Sequence, residues 1–61
     1  MNLKHGEWST VANALRIAAT TYGDDAVACA NAKQPRLADQ FARQQRDAQH
    51  LADRIESVYG L

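Results

Sequence analysis

A single proline, Pro35, stands near the middle of a 61-residue chain, and on both sides of it apolar residues recur at steps of three and four. Before it come Trp8, Val11/Ala12, Leu15, Ala18/Ala19, Tyr22, Ala26 and Cys29; after it come Leu37, Phe41, Ala48, Leu51/Ala52, Ile55 and Val58/Tyr59, with Gln44/Gln45 interrupting the series. That spacing lays each set along one stripe of a helix. A proline ends one helix and suits the first turn of the next. Abundant alanine and few β-branched residues favour helix throughout. The sequence therefore predicts an all-α fold: one domain over 1–61, an antiparallel two-helix hairpin with helices at about 7–32 and 35–59.

The break lies in "NAKQPRLADQ", where Asn31 is expected to adopt the left-handed conformation that closes a helix. A connection this short makes the helices antiparallel neighbours. Facing residue numbers then sum to about 67, which sets Cys29 opposite Ala38, Ala26 opposite Phe41, Tyr22 opposite Gln45, Leu15 opposite Ala52 and Trp8 near Tyr59. Large residues meet small ones, as interdigitating layers require. Ala12, Ala19 and Ala26 recur every seven residues and allow close approach. Gln44 and Gln45 fall where the stripe should continue, so one of them is expected to receive the Tyr22 hydroxyl as a buried polar layer that fixes register. The first helix is expected to begin between Gly6 and Ser9, and Gly60 and Leu61 to fray.

Chains of this length bury too little surface to be robust without a disulfide, a metal or a partner chain. One cysteine, Cys29, permits no internal disulfide and no Cys/His metal framework. The expected remedy is a second copy, giving a homodimeric four-helix bundle or a higher even oligomer. Trp8, Val11, Ile17, Tyr22, Phe41, Leu51, Ile55 and Tyr59 are the expected interface. A second apolar stripe of Ala14, Ile17, Val27 and Ala28, with Ala38, Ala42 and Ala52 on the other helix, adds surface for it.

"TYGDDAVACA" contains a Gly-Asp-Asp string that resembles the metal-binding turn in the palm of RNA-dependent RNA polymerases. In that fold the aspartates sit between strands, beneath a nucleotide site built by hundreds of residues. Here helical spacing runs through the string, and Tyr22 and Ala26 hold the core stripe, so Asp24 and Asp25 are expected on the outer, solvated face. Gly23 is either absorbed within a helix, at a cost of about 1 kcal/mol relative to Ala, or begins a break that makes three helices.

Seven Lys and Arg balance seven Asp and Glu, so the broad positive field of nucleic-acid or anionic-lipid binders is missing. A local site is still legible. Arg36, Gln40, Arg43, Asp47, His50 and Arg54 lie at steps of three and four, with Arg46 just beyond. They read either as a solvated face, with Asp39, Arg43 and Asp47 in i,i+4 pairs, or as a face for a carboxylate- or phosphate-rich partner, built by Arg36, Gln40, Arg43, Arg46, His50 and Arg54. His50 has no second histidine or cysteine one turn away, and no metal is expected. Cys29, Ser9 and Ser57 have no base placed beside them by helical geometry, so neither enzyme activity nor a cofactor is expected. The first residues carry no apolar leader and no stretch reaches the ~20 apolar residues of a membrane span. With one unpaired thiol, the expected location is the cytoplasm.

The stretches "ALRIAATTYGDDA" and "RLADQFARQQRDAQHLADRIE" are similar to short helical-hairpin proteins of unknown function from phages and prophages of high-GC bacteria. That resemblance implies a small accessory protein of a mobile element, of a kind that binds and blocks a host macromolecule, and implies no site residue. Two other functions use the same arginine face. One is RNA binding, by architectural analogy with the dimeric hairpins of Rop-type plasmid regulators; the other is an oligomeric sponge for a signalling nucleotide.

Overall fold

A computed structural model describes residues 3–60. Two helices, α1 (His5–Asn31) and α2 (Pro35–Tyr59), pack along each other as an antiparallel hairpin. α1 starts at His5, earlier than expected, because the Glu7 carboxylate accepts the Lys4 backbone N–H at 3.0 Å and satisfies a group the first turn would leave bare. Gly23 does not break α1, so the described residues form two helices and not three.

The connection departs from expectation at one residue. Asn31 stays helical, and Lys33 takes the left-handed conformation with φ 60. Gln34 N–H then donates to the Cys29 carbonyl at 2.8 Å and Lys33 N–H to that of Ala30 at 3.1 Å. This double closure satisfies the last carbonyls of α1. Pro35 follows in the first turn of α2, as the sequence predicts. Gly60 ends α2 with φ 68 and donates its N–H to the Glu56 carbonyl, so it forms a cap; the expected fraying of Leu61 falls outside the described residues.

The seam follows the facing rule. Ala12, Ala19, Ala48, Ala52 and Ile55 are buried, and Ala12 faces Ile55 while Ala19 faces Ala48 under that rule. Trp8 and Tyr59 stack at the open end with ring centroids 4.8 Å apart. Tyr22 does not reach Gln45. It lies against Phe41 at 6.4 Å, one turn nearer the loop, and Gln45 turns its amide to the other side, over Gly23. A Cβ at Gly23 would stand 2.6 Å from Gln45 Nε2, so the glycine makes the channel in which that amide crosses α1.

Among the described residues no buried side chain is larger than isoleucine. The hairpin is a rod of 43 × 19 × 13 Å exposing 4645 Å², against about 3,900 Å² for a compact protein of this size.

Candidate self-association surface

The two open sides of the hairpin differ in chemistry. On one side the Arg16 guanidinium donates to Glu56 Oε1 from Nε at 2.7 Å and also from Nη2, and to Asp53 Oδ1 at 2.9 Å. These bonds, Glu56 first and then Asp53, hold the guanidinium above its already high ordinary range. The guanidinium is therefore charged at every working pH, and the stability linked to its raised titration is full below arginine's ordinary range and is lost as pH rises into strong alkali. Arg16, Thr20, Gln45 and Gln49 continue this polar side toward the loop.

The opposite side is apolar. Trp8 and Val11 of α1 and Leu51, Ile55, Val58 and Tyr59 of α2 line a groove bordered by Arg54. Val58 is 73 % exposed and Leu51 45 %. Helical spacing carries the same side from Val11 through Leu15, Ala18 and Tyr22 to Cys29 on α1. On α2 it runs every seven residues through Leu37, Gln44, Leu51 and Val58.

The expected interface residues divide accordingly. Val11 and Leu51 lie on the apolar side, with Trp8 and Tyr59 at its end and half-buried Tyr22 along it. Ile55 is 7 % exposed and belongs mainly to the seam, because its position faces the buried Ala12. Phe41 is half-buried against Tyr22. Ile17, 69 % exposed, stands on the side of α1 turned away from α2, in helical register with Asn13, Thr20, Thr21 and Asp24. Ala52, expected both on the stripe facing Leu15 and among the alanines that add interface surface, is buried in the seam with 0 % exposure. Val58 belongs to the apolar stripe read from the sequence but not to the expected interface residues, and sequence reasoning does not single out Arg16. The heptad from Leu37 would have added Val58 to that interface, and the facing rule brings Arg16 level with Asp53.

Arg36, Gln40, Arg43, Arg46, His50 and Arg54 are all exposed. Arg36, Gln40 and Arg43 line a shallow depression with Asp39 and Gln44. The expected pairs among Asp39, Arg43 and Asp47 do not form; among the described residues the ion pairs are those of Arg16. The flexible arginines are thus left facing water. Asp24 and Asp25 are exposed, and among the described residues no three of His, Cys, Asp and Glu gather as metal ligands. Among those residues no helix is long and apolar enough to cross a membrane. No family model, curated protein or solved structure matches the chain.

Proposed function

We propose that the protein is a self-associating interaction module: two hairpins join through their apolar sides as a four-helix bundle, and the arginine row engages a second macromolecule. The observation that carries this reading is the groove of Trp8, Val11, Leu51 and Val58 beside a seam whose buried members are four alanines and one isoleucine. A seam of that kind leaves apolar surface in water that a second copy would cover. The row from Arg36 to Arg54, without carboxylate partners among the described residues, supports contact with a carboxylate-rich protein surface. In a phage or mobile element such a module acts by occupying a host protein. Cys29, a free thiol, suits a reducing cytoplasm.

Native mass spectrometry of gently purified protein tests the reading. The expected spectrum shows a dimer or higher even oligomer with no added nucleic acid. A single-chain mass at tens of micromolar protein would contradict self-association. Added mass of RNA or nucleotide size would instead assign the arginine row to one of those ligands.

A further inference from the structure

The apolar side has two ways to meet its own copy about a two-fold axis, and the charges bordering it distinguish them. On α2 the border is Arg36, Gln40, Arg43, Asp47 and Arg54, net positive with three cations to one anion, next to the heptad of Leu37, Gln44, Leu51 and Val58. On α1 it is Glu7, Ala14, Thr21 and Asp25, next to Val11, Ala18 and Cys29. If the axis runs across the helices, α2 lies beside α2 of the second copy. Two borders of net positive charge then face each other, a like-charge excess that opposes association. If the axis runs along the helices, α2 lies beside α1 of the second copy, and the arginine border meets the border that carries Asp25.

The second arrangement also fixes register without further assumption. Rotation about an axis parallel to the helices leaves every residue at its own height. The facing rule within one chain, visible in Trp8 with Tyr59 and Gly23 with Gln45, therefore also governs contacts between chains. Facing numbers whose sums lie within two of about 67 set Val58 against Val11, Leu51 against the small Ala18, and Gln44 beside Tyr22, whose hydroxyl no residue of its own chain binds among the described residues. The same rule sets Arg43 against Asp25.

Building on the self-association proposed above, we infer that the second copy packs about an axis parallel to the helices, with both loops at one end and Arg43 of each chain paired with Asp25 of the other. This pairing takes Arg43 out of the row and leaves its remaining members, Arg46 and His50 farthest from the groove, for the second macromolecule. The Gly-Asp-Asp string then has a use: Asp25 selects the arrangement of the copies. Gln44 and Tyr22 form the polar layer that the sequence led us to expect within one chain.

Two measurements on the full chain test this. Nitroxide labels on Lys33→Cys, in a Cys29→Ala background, should lie within about 25 Å of each other, since helices pack 8–10 Å apart. A label separation near the 43 Å length of the rod, in a sample that sediments as a dimer, would overturn the arrangement and leave self-association standing. A sample that stays monomeric would sink self-association itself. Asp25→Arg and Arg43→Asp should each weaken the dimer roughly three- to ten-fold, and the double reversal should restore it. Both residues are exposed, so each variant should keep its hairpin, checked by circular dichroism. Absence of rescue in the double variant would overturn the pairing.

Discussion

At the scale of single residues, two positions hold the hairpin in ways that apolar spacing does not reveal. Lys33 closes α1 in a left-handed conformation that an L residue with a Cβ adopts at a cost. Lys33→Gly should therefore stabilise the chain by about 1 kcal/mol, read as a higher denaturant midpoint at unchanged slope. A lower midpoint would mean that Lys33 makes a compensating contact. Gly23 sits beneath the Gln45 amide. Gly23→Ala gains helix propensity of about 1 kcal/mol but must push that amide aside. The gain should be smaller in the native background than with Gln45→Ala, where the channel is empty. Equal gains in both backgrounds would show that Gln45 does not cross α1 at Gly23. Asp24 and Asp25, which a polymerase-like reading would make metal ligands, are exposed on a continuous helix.

At the scale of elements, the hairpin is asymmetric: α2 is sharply two-sided, whereas α1 carries apolar residues on more than one side. The alanines of the seam set how closely the helices approach. Ala52→Leu should cost about 1–3 kcal/mol, because a larger side chain at full burial drives the helices apart. Ala28→Leu, on the exposed part of α1, should change stability by less than about 0.5 kcal/mol. Similar losses at both positions, measured by chemical denaturation, would contradict this seam. Much of this level was legible beforehand. The three-and-four spacing and Pro35 predict both helices, and the short loop predicts the pairing that joins Trp8 to Tyr59. Sideways choices were not legible. Whether Tyr22 meets Gln45 or Phe41, and whether the left-handed residue is Asn31 or Lys33, depends on rotamers and loop closure that periodicity does not encode. Helix start is likewise set by one bond, from the Lys4 backbone N–H to the Glu7 side-chain carboxylate, with no apolar residue involved.

At the scale of the whole molecule, the two sides of the rod point to different uses. The polar side closes on itself through Arg16, Asp53 and Glu56, while the apolar side has exposed Leu51 and Val58 and an arginine border. Sequence reasoning reached the idea of a second copy from chain length and alanine content, and included Ile17 and Ile55 in its surface. The structure separates them, because a fraction of a turn about α1 or α2 decides between seam, groove and outer face. The central claim is that one hairpin is insufficient and a second copy completes the core. It is tested most directly by thermal unfolding, followed by circular dichroism, over a hundredfold range of protein concentration. If folding and association are coupled, Tm should rise by roughly 5–10 °C across that range, as mass action requires for a small dimer. A cooperative transition whose Tm stays constant across the range would show that the hairpin is stable as a single chain and contradict the claim.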